Sequence, residues 1–232
     1  MPEALIHLRD VRFAWEPAVP VLDIPEFRLD AGETVFLRGA SGSGKSTLLG
    51  LIAGVVPAQA GQVQVLGKDL SQLSGSARDR LRGERMGVIF QMFNLLPWLS
   101  VLENVTLACD FAPARRRRLG TRPRDEARRL LARLGLEDER WLSRPARLLS
   151  VGQQQRVAAA RALIGGPDLV IADEPTSALD TGMRDRFIAL LLEEATRTGA
   201  GVLFVSHDGA LAGQFSRAVD LGDINRAMAV MS

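Results

Sequence analysis

Gly39-Ala40-Ser41-Gly42-Ser43-Gly44-Lys45-Ser46 decides the fold of this chain. It fits G-x-x-x-x-G-K-[ST] at every fixed position. The apolar run Thr34 to Leu37 precedes it as a strand, and a helix-compatible run, Ser46 to Ala53, follows. Strand, glycine-rich loop and helix in that order make a phosphate cradle. Glycines let successive N–H groups turn toward phosphate oxygens, and the helix N-terminus adds partial positive charge. Lys45 suits the terminal phosphates, and the Ser46 hydroxyl suits a Mg²⁺ shell. Gly39, Ala40, Ser41, Gly42, Ser43, Gly44, Lys45, Ser46 and Thr47 are therefore the first candidate nucleotide-binding residues. The lysine carries information here, because the chain has only two, Lys45 and Lys68, and takes the rest of its positive charge from arginine. A slim ammonium fits among phosphates where a planar guanidinium does not.

Outward from the loop, strands alternate with helices. Ile6 to Trp15 reads as a strand, with a bend at Glu16 to Pro20; Gln62 to Leu66 alternates, ending at the Gly67-Lys68-Asp69 turn. Arg124 to Leu134 carries Ala127, Leu130, Leu131 and Leu134 at helical spacing, and Gln153 to Ile164 is alanine-rich and helical. Leu169 to Ala172 and Gly201 to Ser206 are short apolar runs of the kind found in buried parallel sheets. Asp180 to Thr198 reads as a helix with Met183, Phe187, Leu190 and Leu191 inward. The stretch from Met92 to Leu149 has no clear strand and reads as helical. The pattern predicts an α/β fold with a mainly parallel sheet.

Composition narrows the classes. The chain has 232 residues, 47% of them hydrophobic, enough for a large core and against disorder. Its longest apolar stretch, Leu48 to Ala58, is about half the ~20 residues a bilayer span needs. The opening MPEALIHLRD lacks a basic n-region and an apolar h-region, so no secretory signal is expected. Cys109 is alone, which excludes an internal disulfide and a cysteine metal site. Net charge is only +2 although the pI is about 9.3. With no tyrosine and one cysteine, little titrates between histidine and arginine, so a small surplus moves the pI far. Nucleic acid is not an expected partner.

A second acidic element follows Leu169-Val170-Ile171-Ala172: the pair Asp173-Glu174. Alternation along a strand lets the two divide labour, Asp173 toward the Mg²⁺ shell and Glu174 polarising the attacking water. The two motifs together read as a nucleotide hydrolase. Ser150 and Gln153 form an S-x-x-Q capping box, a helix start poised for an anion.

Leu149-Ser150-Val151-Gly152-Gln153-Gln154-Gln155-Arg156 resembles the LSGGQ signature of the ABC-transporter ATPases, and it stands ahead of the acidic strand as it does there. Gln91 matches the Q-loop, Ser177-Ala178-Leu179-Asp180 the D-loop, and His207 the switch histidine. Trp15 takes the place of the family's adenine-stacking aromatic, whereas His7 has no such context and reads as a surface or strand residue. Val151 departs from the signature's first glycine. The resemblance implies a P-loop NTPase (RecA-like) core at about 1–91 and 150–232, with an antiparallel β subdomain and an inserted α-helical subdomain at about 92–149. It implies ATP and Mg²⁺ as cofactors, Lys45, Glu174 and His207 as catalytic groups, and Ser46, Gln91 and Asp173 around the metal. Trp15, Gln91, Ser150, Gly152, Gln153 and Asp180 join the loop in binding nucleotide, Ser150 and its neighbours reaching the ATP of a second copy. A homodimer, or a pair with a related ATPase subunit, follows.

Arg80-Leu81-Arg82, Gly87 to Gln91, Asn94-Leu95-Leu96-Pro97 and Leu102-Glu103-Asn104-Val105 resemble the branch holding the lipoprotein-releasing, macrolide-efflux and cell-division ATPases. That branch implies an integral membrane permease partner, a cytoplasmic position on the inner face of the membrane, and export or mechanotransmission. Transmembrane signalling without transport, or import, are the alternatives. DNA-repair relatives need a long coiled-coil or zinc insertion, and translation-factor relatives need two cassettes; neither fits. Among the residues after the Q-loop, Phe93 and Trp98 are expected to be the exposed pair of a partner groove, and Arg115-Arg116-Arg117-Arg118 is expected to be a solvated loop.

Overall fold

The computed structural model describes residues 4–17, 19–177 and 179–227. In chain order its elements are β1 (Ala4–Glu16), β2 (Val19–Asp30), β3 (Thr34–Arg38), α1 (Lys45–Ile52), β4 (Ala60–Val65), β5 (Lys68–Asp69), α2 (Gly75–Arg85), β6 (Met86–Ile89) and α3 (Val101–Phe111). There follow α4 (Pro113–Arg118), α5 (Pro123–Arg133), α6 (Glu139–Leu142), α7 (Val151–Leu163), β7 (Leu169–Asp173), α8 (Thr181–Thr198), β8 (Gly201–Val205), β9 (Arg217–Asp220) and α9 (Leu221–Ile224). The chain divides into two compact units, Met1–Arg82 with Gly201–Ser232, and Gly83–Ala200.

The first unit holds an antiparallel sheet in the order β2-β1-β4-β5 and a parallel group in which β3 lies between β8 and β9. The apolar runs read as buried strands are buried: Val35, Phe36, Leu37 and Val202 to Val205 have no exposed surface. Phe36, Phe204 and Phe215 meet with ring centroids 4.9 to 6.1 Å apart, a contact range in which aromatic pairs add to area burial. β1 extends past its expected ends; the chain turns back between Glu16 and Val19, inside the stretch read as a bend, and Pro20 stands opposite Ala14 on the edge strand β2, where proline is tolerated.

In the second unit β6 and β7 are parallel, Ile89 opposite Ala172. Residues 92–149 carry α3 to α6. The alanines of α7 serve close packing: Val157, Ala158, Ala159, Ala160 and Ala162 are buried. Gly87 explains how closely β6 approaches, because a Cβ there would stand 2.4 Å from the Ala162 carbonyl oxygen. Met183 is half-buried, whereas Phe187, Leu190 and Leu191 point inward as the helical spacing requires. Neither β6 nor β9 is visible as a strand in the sequence, since four-residue runs broken by Gly87 and Arg217 show no period.

The arginine run is a correction. It forms most of α4 rather than a loop, and Arg115 is 3% exposed. Its guanidinium donates to Ala162 O and Ile164 O at 3.0 Å each and also to Met86 O. It thereby satisfies carbonyls at the C-terminal end of α7 that the helix itself leaves open. Burial pushes its pKa down to about 10. Arg118 donates to Gly165 O at 2.9 Å and Glu84 O at 2.5 Å, while Arg116 and Arg117 stay exposed. A run of four like charges looks solvated in one dimension; helical spacing turns one member inward.

Candidate functional site

In the first unit the phosphate loop joins the end of β3 to the start of α1. Lys45 Nζ donates to Gly39 O and Ala40 O at 2.8 Å each, so the loop curls around its own ammonium. Gly44 has φ +95°, and a Cβ there would press on Val21 and Leu22 of β2 within 3.0 to 3.2 Å. Only glycine combines that backbone with that proximity. The Ser43 hydroxyl is buried without a hydrogen-bond partner, an unspent polar group inside the loop. Such a cradle fits a phosphate group. Ser46 and Thr47 lie in the first turn of α1.

Beside the loop, Trp15 is 64% exposed, which removes the reading of a core aromatic. Its indole nitrogen donates to Thr47 Oγ1 at 3.3 Å, and its ring meets Phe13 edge-on, centroids 4.8 Å apart. Gln59 fixes the strand behind it, accepting from Ala14 N at 2.9 Å and donating to Ala14 O at 2.7 Å. His207 is exposed two residues past β8. Ser206 N bonds Leu37 O at 3.2 Å, so His207 and Gly39 leave neighbouring parallel strands at one edge. The C-terminal ends of parallel strands are where α/β folds place ligands.

The sequence reading missed Asn225. It is 1% exposed; its Oδ1 accepts from Asp23 N at 2.8 Å, and its Nδ2 donates to Val21 O at 2.9 Å and reaches Ser43 O at 3.5 Å. Lying 180 residues beyond the loop, in a segment without a motif, it gives no sequence signal.

In the second unit Asp173 ends β7 and Glu174 leaves it at φ +46°. Glu174 thus stands just past the strand, on a backbone in the left-handed region. Gln91 is exposed two residues past β6, at the edge where β7 also ends. The capping box is formed: Ser150 Oγ accepts from Gln153 N at 3.3 Å, and Gln153 Oε1 accepts from Ser150 N at 2.9 Å. Val151 opens α7 with its side chain 55% exposed and without a positive φ, so the departure from glycine costs no backbone strain. A Cβ on Gly152 would stand 3.2 Å from Leu179. Asp180 caps α8, accepting from Met183 N at 2.9 Å. Ala178 of the expected D-loop lies outside the described residues.

After the Q-loop position the exposed pair is Met92 and Trp98, at 82% and 68%. Phe93 is 8% exposed, a correction: its left-handed backbone, φ +55°, turns the ring inward.

Residues 22–177 match the family model described as ABC transporter. The chain belongs to the ABC transporter family. The cassette is 42% identical to a lipoprotein-releasing system ATP-binding protein, LolD 2, of Rhodospirillum rubrum, over 90% of this chain and 88% of that one. It is 40% identical to the macrolide export ATP-binding/permease protein MacB of Shigella flexneri over 94% of this chain, which spans 33% of that longer protein. Among solved structures it superposes on the ATP-binding cassette MJ0796 in a dimeric post-hydrolysis state bound to ADP and Pi, with a TM-score of 0.82, 31% identity and 93% coverage of both chains. A second dimeric structure of MJ0796 gives 0.81 at 32% identity over 94% and 95%. The cassette is thus an ABC transporter ATPase with a P-loop NTPase α/β fold, similar in sequence to those ATP-binding subunits. No helix of the described residues is long and apolar enough to cross a membrane.

Proposed function

We propose that two copies of the cassette, or one copy and a related ATPase subunit, close head-to-tail around two MgATP and reopen after hydrolysis, driving a membrane permease from its inner, cytoplasmic face. The observation that carries this is the exposed start of α7 at Ser150, held in place by its capping box, on a sequence with one phosphate loop. The dimeric state of the superposed cassettes supports the pairing, and the names of the matched relatives support export or mechanical release rather than import.

In this reading Trp15 stacks on the base and residues 39–47 bind the phosphates. Ser150, Gly152 and Gln153 complete the pocket of the other copy, and Asp180 stands beside it. Glu174 polarises water, and His207 contacts the terminal phosphate. Ser46, Asp173 and Gln91 would hold Mg²⁺, their hydroxyl, carboxylate and amide oxygens being the hard donors that ion takes. Bound there, Mg²⁺ neutralises phosphate charge. Met92 and Trp98 present the apolar surface for the permease. Closing contacts of about 1.5–3 kcal/mol each, a few per pocket, reach the ~5.5 kcal/mol that reverses a two-state balance.

Glu174→Gln tests this on a sizing column. With excess MgATP the variant elutes as a dimer, and with ADP as a monomer; a variant that stays monomeric in MgATP refutes the shared pocket.

A further inference from the structure

The loop that follows β6 bends through two successive non-glycine residues in the left-handed region, Phe93 at φ +55° and Asn94 at φ +49°. Asparagine tolerates that backbone, whereas phenylalanine there is an outlier that its surroundings must enforce. Two features enforce it. The Phe93 ring is buried, and the Arg161 guanidinium of α7 donates to Phe93 O at 2.5 Å and to Asn94 O at 2.6 Å. Burial holds the Arg161 pKa below its ordinary value, and the two carbonyls it donates to belong to this loop. At the other end of the same segment, Arg115 joins Met86 O to the α7 carbonyls of Ala162 and Ile164. The stretch from Met86 to Asn94, with Gln91 inside it, is therefore gripped at both ends onto α7. That helix starts at the Ser150 cap, about 16 Å from Arg161 at helical rise.

We propose that Arg161 is a positioning residue: by holding Phe93 and Asn94 left-handed it sets the loop bearing Gln91 and Met92, so that this loop and the Ser150 end of α7 move as one body. Its functional consequence rests on the roles proposed above for Gln91 and Ser150; the clamp itself does not. An anion pressing on the start of α7 would then displace the loop without any contact to it. A rigid helix with two guanidinium grips has no soft joint in which that displacement could be lost.

Hydrogen exchange and kinetics on the full chain test the clamp. In Arg161→Met, amide exchange over residues 91–99 rises about tenfold or more, the change that loss of a charge-assisted hydrogen bond carries. Peptides from α7 and β6 keep their rates. The ATPase kcat falls while KM for MgATP stays within about twofold, since uniform binding is untouched. Arg161→Lys, able to reach one carbonyl, gives intermediate exchange, and it carries the comparison if Arg161→Met does not fold. Unchanged exchange over 91–99, or a rise spread equally over α7 and β6, overturns the proposal, as does an unchanged kcat. The exchange measurement needs no dimer, so failure of the shared pocket and failure of the clamp are separately readable.

Discussion

The Trp15 indole nitrogen donates to the Thr47 hydroxyl at 3.3 Å, tying the end of β1 to the first turn of α1. Gln59 holds the Ala14 backbone on the far side, so the ring is presented by two fixed points rather than by a loose strand end. If that ring stacks on the base, its loss removes about 1–3 kcal/mol of binding. Trp15→Ala should therefore weaken ATP binding about tenfold or more in calorimetry, and Trp15→Phe by much less, because the π-face remains. Equal affinities for the wild type and Trp15→Ala would place the base elsewhere.

Asn225 ties the phosphate loop at Ser43 to β2 at Val21 and Asp23. Four backbone groups lean on its side chain, at Val21, Asp23, Ser43 and Ala227, and it has almost no exposed surface. Replacing it with alanine strands buried donors and acceptors, at about 1–3 kcal/mol. The melting temperature of Asn225→Ala should drop by roughly 2–4 °C per kcal/mol, with ATP affinity falling in step. A variant with wild-type melting and wild-type affinity would show that the amide is idle.

Asn225 also marks the limit of what the sequence disclosed. The phosphate loop, the acidic strand and the capping box are local patterns, where spacing along the chain equals geometry; the loop, the strand ends and the Ser150–Gln153 pair all formed where the residues put them. Asn225, Gln59 and Arg161 act across long stretches of chain, and a lone amide or guanidinium shows no period. Arg115 misled for a related reason: charge runs signal solvation, yet one turn of helix turns its guanidinium inward onto the open end of α7. The left-handed backbone of Glu174, φ +46°, is likewise a three-dimensional feature that the residue letters do not announce.

Glu194 gives the pH dependence. Its side chain is 2% exposed and lies among Arg129, Arg133 and Arg197. Burial alone pushes its carboxyl up, but hydrogen bonds from Arg129 and Arg197 and the charges of both outweigh burial and hold it at about 2. A carboxylate with a lowered folded pKa contributes stability above its unfolded value and loses it on acidification. The gap corresponds to about 3 kcal/mol at neutral pH, draining away between about pH 4.5 and 2. Urea unfolding should thus show a steep acid limb in the wild type. Glu194→Gln should be less stable at pH 7 by a similar amount and flatter below pH 4.5; an unchanged acid limb would assign it to other carboxylates.

Lys45 provides the sharpest separation of charge from shape. Its ammonium sits 2.8 Å from both Gly39 O and Ala40 O, a space that accepts a compact head with rotatable donors. A guanidinium is planar, broader and fixed in its donor directions, so it cannot occupy that point and still turn toward phosphate. Were net charge the requirement, Lys45→Arg would keep most activity and Lys45→Met would lose it. The loop geometry predicts instead that both variants lose about 100-fold or more in kcat, the scale on which a preorganised electrostatic group acts. Both should fold as the wild type does, because Lys45 is only half-buried and its loop partners are carbonyls that water can reach in part. Steady-state turnover of the two variants side by side, with melting curves as the control, decides the matter: a Lys45→Arg enzyme within tenfold of the wild type would mean that the loop opens wider than its curl around the lysine allows.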